Sequence, residues 1–433
     1  MKVRLFGVAR HHLGDSGVSR RGSGTSGAPA ARRCGLKRTC RLSVVVILLT
    51  ALGTETGIGQ VRFEASTNGT RSGVEDSRDI VTIDRFVPHV STALANEGDP
   101  VDLFVRERVQ RGHHSHRPVV LMIQGATTPA VPVFDLRFRN YSWMTFLARA
   151  GFDVFTMDLQ GYGASPRPRM DDPCNTQASQ QPLLIPRTLL KPCAPSYPFK
   201  MAIQSDWDEI DRVIDYLRDL RGAEKVSLIA WSRGGPRAGG YAAQHPEKVD
   251  KLFLYSPAMY NRTGPSNPPL LPEPGFLMQL GSLANTFSTW DGQVGCENQF
   301  RPEIRDPIGT TILDFDPVGR TWGDGTLWRA PLQNTLWGWN AEAAQQIAAP
   351  TLIIRGEFDN QGGGEGLQRN LFADLGTNQK VFVKVACASH NLVWENQHMV
   401  LLRASREWLN EGTFAEQGSG SFFVDAEGHV HNE

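Results

Sequence analysis

The chain is poor in the features that mark several protein classes. None of its Gly-rich stretches stands between a strand and a helix in the manner of a nucleotide- or phosphate-binding loop. It has no Cys-x-x-Cys pair and no Cys/His spacing suited to zinc. No internal repeat is visible. Apolar residues make up 40% and charged residues 21% of the 433 positions, a balance unlike that of disordered, coiled-coil or collagenous chains. One apolar run stands out, Leu42–Gly53 (LSVVVILLTALG), well short of the ~20 residues that span a bilayer as a helix. Positive charge is scarce outside the first 53 residues. That stretch holds ten Lys and Arg against one acid, Asp15, which leaves 35 basic and 44 acidic side chains for the rest, a net charge of −9. An acidic body is no partner for nucleic acid.

The basic flank Lys37, Arg38 and Arg41 followed by the short apolar run reads as an export signal. Residues 1–53 are thus expected to be a leader, and the protein secreted or periplasmic, with no stable membrane span once processed; a short membrane anchor is the competing reading. Residues 54–78, rich in Gly, Ser and Thr, read as a linker. Cysteines are few. Cys174 and Cys193 flank a Pro-rich segment, and an oxidising compartment would favour a bridge between them. Cys296 and Cys387 are either buried thiols or a second pair. His113, His114 and His116 cluster without a carboxylate neighbour and read as a solvated loop rather than a metal site.

From Asp79 strand and helix signals begin. Ile80–Val90 and Val101–Val109 flank a turn at Asn96–Pro100. Continuous apolar runs follow at Val119–Gln124, Phe152–Leu159, Val226–Trp231, Leu252–Ser256, Thr351–Arg355 and Val381–Cys387. Amphipathic helical patterns fall between them, at Tyr141–Ala150, at Ser205–Arg221 with Ser205 as N-cap, and at Trp394–Leu409. Apolar strands alternating with helices predict an α/β fold: a mostly parallel central sheet with helices on both faces. Two stretches interrupt the alternation. Residues 165–203 are Pro-rich, and residues 258–347 hold Trp290, Trp322, Trp328, Trp337 and Trp339, half of the ten tryptophans. The second is expected to form a cap between late strands, over the sheet edge where ligands bind. The core then comprises residues 79–257 and 348–410. Residues 411–433 form a tail in which Phe422–His431 has the pattern of a small hairpin.

Ala230-Trp231-Ser232-Arg233-Gly234-Gly235 lies where a buried strand gives way to a helix. A hydrolytic serine needs a sharp strand-to-helix turn with tiny residues two before and two after it. Ala230 and Gly234 meet that need, with Ala230 a departure from the usual glycine. The helix that follows offers free N–H groups and the positive end of its dipole to a developing oxyanion. This elbow, the strand end Gln124-Gly125 and the turn Asp158-Leu159-Gln160-Gly161-Tyr162-Gly163-Ala164-Ser165 together resemble the α/β-hydrolase superfamily, in its serine esterase-type branch. The resemblance covers the whole expected core. Dehalogenases and epoxide hydrolases of that superfamily carry an aspartate at the elbow; the serine here argues against their chemistry.

The resemblance implies an acid and a histidine at later strand ends, in the order Ser, acid, His. Asp359 follows TLIIRGEF and His390 follows VFVKVACAS. Glu357 competes with Asp359 but lies closer to its strand. His398 falls inside the last helix, where a surface position is expected, and His429 and His431 lie in the tail. Two backbone N–H groups would form the oxyanion hole: that of Arg233, after the nucleophile, and, by the resemblance, that of Ala126 after Gln124-Gly125, where Gln124 replaces the usual histidine. The Arg233 side chain would pack into a salt bridge or meet an anionic substrate. The expected activity is cleavage of a small apolar or aromatic carboxylic ester through Ser232, His390 and Asp359, with no metal or organic cofactor implied. Amidase or aminopeptidase action, lactone or C–C bond hydrolysis, and a non-catalytic binding role are the other readings.

Overall fold

The computed structural model describes residues 79–433, apart from 113–116, 167–169, 171, 185–192, 324 and 332–334. The expected leader (residues 1–53), the linker (residues 54–78) and the cluster of His113, His114 and His116 lie outside the described residues. Twelve strands are described: β1 (Ile80–Val90), β2 (Pro100–Gln110), β3 (Val119–Ile123), β4 (Asp153–Met157), β5 (Val226–Trp231), β6 (Val249–Tyr255), β7 (Met278–Ser282), β8 (Leu327–Pro331), β9 (Thr351–Gly356), β10 (Lys380–Val385), β11 (Gly420–Val424) and β12 (Val430–Asn432). Ten of them form one sheet in the order β1-β2-β4-β3-β5-β6-β9-β10-β11-β12. The seven from β4 to β11 in that order run parallel, and β1, β2 and β12 pair antiparallel at the two edges.

Continuous apolar runs are what a sheet buried on both faces requires, because successive side chains point to opposite sides. Along β5, Leu228 and Ala230 join one buried cluster and Ile229 and Trp231 the other. The helices are α1 (Ala130–Phe134), α2 (Trp143–Arg149), α3 (Ile203–Arg221), α4 (Gly234–Gln244), α5 (Leu283–Asp291), α6 (Arg305–Asp314), α7 (Ala341–Gln346), α8 (Glu365–Asp374) and α9 (His398–Glu411). Trp143 and Leu147 of α2 and Trp408 of α9 cover the face of Ile229 and Trp231, and Ile210 and Val213 of α3 and Tyr241 of α4 cover that of Leu228 and Ala230. The α/β architecture with helices on both faces is therefore as the sequence predicts.

Some local expectations are corrected. α3 begins at Ile203, and its N-cap is Ala202, not Ser205. Ser205 lies inside the first turn and its hydroxyl donates to the Ala202 carbonyl (2.9 Å), so it serves the helix from within. The pattern in the tail does form a hairpin, and β11 pairs parallel with β10, so it extends the main sheet. The two interrupting stretches meet each other. β7 and β8 pair antiparallel within the later one. The Gln180 side chain of the earlier one exchanges two hydrogen bonds of 2.8 Å with the Leu280 backbone of β7. A disulfide joins Cys174 to Cys193, and a second joins Cys296 to Cys387.

Candidate active site

Strand register brings the three candidate residues to one edge. Trp231 pairs with Tyr255, Tyr255 with Ile354, and Ile354 with Val383. Ser232 leaves β5 directly. Asp359 follows β9 by three residues and His390 follows β10 by five. All three sit beyond the carboxyl ends of parallel strands, where ligands bind in open α/β sheets.

Ser232 has φ 57°, a left-handed conformation uncommon for a residue with a side chain. Such strain costs on the order of 1–3 kcal/mol and persists only where surroundings fix it. Here the Ser232 N–H donates to the Tyr255 carbonyl (3.0 Å), and the Ser232 carbonyl accepts from the N–H groups of Gly235 and Ala258, both at 2.9 Å. The need for small neighbours is steric. A Cβ on Gly234 would lie 2.6 Å from the Ile123 carbonyl oxygen and 3.1 Å from Ala230 Cβ.

Nδ1 of His390 lies 2.9 Å from Oδ1 of Asp359, and both residues are only 3% exposed. Asp359 also accepts from the N–H groups of Gln361 and Gly362 and from Nε2 of Gln368. Burial alone would raise its pKa. The His390 imidazole beside it, their hydrogen bond, the Arg355 charge and Gln368 outweigh that and hold the carboxyl well below the usual carboxylate range. Asp359 is thus ionised and can fix the proton of His390 on Nδ1, leaving Nε2 as the acceptor. Ser232 Oγ makes no hydrogen bond to the imidazole here, as is common in unliganded sites of this type.

Glu357, the competing acid, is exposed and accepts from the Cys387 N–H (3.2 Å), away from the imidazole. His398 is not on the surface. It is 5% exposed, stacks on Tyr141 with ring centroids 3.9 Å apart, and bonds the Glu395 carbonyl through Nδ1. A place on a helix suggests exposure, but His398 starts α9 on the side that packs against the core. His429 and His431 are tied to Asp425 at the far end of the tail.

Several supporting residues were not foreseen. The carbonyl of His390 accepts from Trp231 Nε1 (3.1 Å) and from the Tyr255 hydroxyl (2.5 Å). The residue before Ser232 therefore holds the backbone of the candidate base. The His390 N–H donates to Gln293 Oε1. Glu395, fully buried, accepts from the Ser389 N–H and hydroxyl, from Trp290 Nε1 and from Gln299 Nε2. Residues 290–299 thereby brace the loop that carries His390. Apart from the bonds between Ser389 and Glu395, six residues apart, these contacts join residues far apart in the chain and no local pattern signals them; Glu395 near a strand-end histidine is the one available hint.

For the oxyanion hole, the N–H groups of Ala126 and Arg233 donate to no acceptor among the described residues. Gly125 lies against Ser232, since a Cβ there would be 3.0 Å from Ser232 Cβ. Gln124 is buried, and in the amide orientation that satisfies both groups its nitrogen donates to the Met157 carbonyl and its oxygen accepts from the Leu159 N–H, so in place of a histidine it pins the strand end. The Arg233 guanidinium enters no salt bridge among the described residues. Its Nε and Nη2 meet the Met259 sulfur at 2.9 and 2.8 Å. Trp290, Trp328 and Trp339 of the interrupting stretch are buried members of the core clusters. Their indole N–H groups are bonded to Glu395 and to the carbonyls of Thr127 and Ala258 respectively. These three fill the interior, so they give no support to an aromatic substrate.

The sheet topology is that of the α/β-hydrolase fold, and residues 118–298 match the family model described as alpha/beta hydrolase fold. The chain has the α/β-hydrolase fold. A stretch of 43 residues is 46% identical to the poly(3-hydroxyalkanoate) polymerase subunit PhaC of Allochromatium vinosum; it covers 10% of this chain and spans only 12% of that protein. Among solved structures, a thermophilic esterase from Thermogutta terrifontis is similar at 15% identity and a TM-score of 0.44, covering 76% of this chain and 98% of that one. The meta-cleavage product hydrolase of Pseudomonas fluorescens is similar to the same degree in identity, TM-score and coverage.

Proposed function

We propose that this protein is a serine hydrolase that cleaves a carboxylic ester of a small molecule. Ser232 Oγ attacks the carbonyl carbon while His390 Nε2 takes its proton. The tetrahedral oxyanion is received by the N–H groups of Ala126 and Arg233. Collapse expels the alcohol, which takes the proton back from His390, and leaves an acyl group on Ser232. Water, deprotonated by His390, attacks that acyl group. The carboxylic acid departs, and the proton returns to Ser232. Asp359 stays ionised throughout and holds the imidazole in the productive tautomer.

The observation that carries this reading is the 2.9 Å contact between His390 Nδ1 and Asp359 at the same sheet edge as a strained serine on a strand-to-helix turn. The two disulfides support export to an oxidising compartment, which we propose as its location. The test is labelling of wild type and Ser232→Ala by a fluorophosphonate probe, followed by p-nitrophenyl esters, lactones and amides as substrates. Labelling at Ser232, abolished in the variant, with turnover of esters is the expected result. An unlabelled wild type refutes the serine-hydrolase reading. Labelling with turnover of amides or lactones alone refutes the ester assignment.

A further inference from the structure

Arg237 stands on α4, five residues after the nucleophile, and is 2% exposed. Its guanidinium spreads over four partners. Nη1 donates to the carbonyls of Gln124 (2.9 Å) and Gly125 (2.8 Å), Nε to Asp206 Oδ2 (2.8 Å) and Nη2 to the Tyr162 hydroxyl (3.1 Å). Two of these bonds fall on consecutive carbonyls just beyond β3. In a strand, consecutive carbonyls point to opposite sides. Both reach one nitrogen here, so the chain has left strand geometry at Gly125.

A trans peptide is planar, with its C=O and N–H directed to opposite sides. A bond from Arg237 to the Gly125 carbonyl therefore sends the Ala126 N–H away from Arg237. Gly125 lies against Ser232 Cβ, and the Ala126 N–H has no acceptor among the described residues. Asp206 neutralises the guanidinium from α3, and the face of Tyr162 packs on it with the ring centroid 5.1 Å away. The fork is held from both ends, as a lysine could not be.

We propose that Arg237 is a positioning residue that sets the Gly125–Ala126 peptide so that the Ala126 N–H serves the oxyanion. This rests on the serine-hydrolase reading for its chemistry, though the peptide orientation stands apart from it. Arg237 touches no reacting atom. It acts through the peptide it orients, so its loss weakens the transition state more than the bound substrate.

The test uses Arg237→Met paired with Asp206→Asn, which avoids a buried unpaired carboxylate, and Arg237→Lys, which keeps the charge without the fork. Each is examined by crystallography and by steady-state kinetics on an ester that the wild type cleaves. The expected result for the double variant is a rotated Gly125–Ala126 peptide, with kcat down about 10- to 100-fold and KM within about threefold, since one oxyanion donor is worth 10²–10³ in kcat. Arg237→Lys should show the same pattern at smaller size, and serves alone if the double variant does not fold. An unmoved peptide with kcat within about twofold of wild type in either variant overturns the proposal, as does a loss confined to KM. A wild type that turns over nothing, together with a rotated peptide in the variant, supports the positioning role and refutes the hydrolase reading instead.

Discussion

The two disulfides close loops of very different size, and this makes a quantitative test. Cys296 and Cys387 are 91 residues apart in sequence, and Cys174 and Cys193 are 19 apart. The loops do not overlap, so in the unfolded chain their effects add. Chain-entropy reasoning gives about 4.6 kcal/mol for the longer loop and about 3.3 kcal/mol for the shorter at 25 °C. Replacing each pair by alanines should therefore lower unfolding free energy more for Cys296/Cys387, by about 1.3 kcal/mol. The second difference is functional. Cys387 lies three residues before His390, in the loop leaving β10, and Cys296 lies within the segment whose Gln293 and Gln299 contact His390 and Glu395. Losing that tether should loosen the imidazole and lower kcat about three- to tenfold, since small misplacements of a catalytic group are costly. The other pair should leave kcat unchanged. Urea unfolding and ester kinetics on the two double variants measure both effects. Equal stability losses would refute the loop argument. A kcat loss confined to the Cys174/Cys193 variant would refute the bracing role given to residues 290–299.

Two further outcomes follow from the site. Asp359→Asn keeps the shape but donates where the carboxylate accepted, stabilising the wrong tautomer of His390; kcat should fall about 10³- to 10⁴-fold with the fold intact by circular dichroism, and a loss under tenfold would remove Asp359 from the proposed triad. His398 is held neutral by burial, which pushes its pKa from 6.5 down to about 4. The unfolded chain takes up that proton first, so stability is full above about pH 6.5 and declines as pH falls toward 4, by about 3 kcal/mol at the acid end. His398→Phe should remove that decline in denaturation series taken from pH 7 to 4; an unchanged pH slope would contradict it.

The residues proposed to do chemistry were legible because each carries a local mark. Ser232 sits between Ala230 and Gly234, and their smallness is demanded by contacts across one turn. Asp359 and His390 each follow an apolar strand run in the order the resemblance requires. What holds them in place left no such mark. The two donors to the His390 carbonyl, Trp231 and Tyr255, are 159 and 135 residues away, and both read only as strand-end apolar residues. The tryptophans of residues 258–347 show a related limit. Composition tells that indoles are present, but a buried indole with a bonded N–H is equally at home in a core or against a ligand. For Trp290, Trp328 and Trp339 only coordinates decide for the core.

The site is assembled from two halves with separate supports. Helix α4 and Arg237 hold the elbow and the Gly125–Ala126 peptide. Glu395, Gln293 and the Cys296–Cys387 bridge hold the loop of His390. The His390 carbonyl joins them directly, because Trp231 of β5 and Tyr255 of β6 both donate to it. An imidazole placed by its own backbone carbonyl keeps freedom about its side-chain torsions, and the bond to Asp359 removes much of it. In the proposed mechanism the remaining adjustment would bring Nε2 to Ser232 Oγ when a carbonyl substrate enters. The arrangement fixes the backbone of His390, and the proposed mechanism would then need only the Ser232–His390 hydrogen bond to form with substrate.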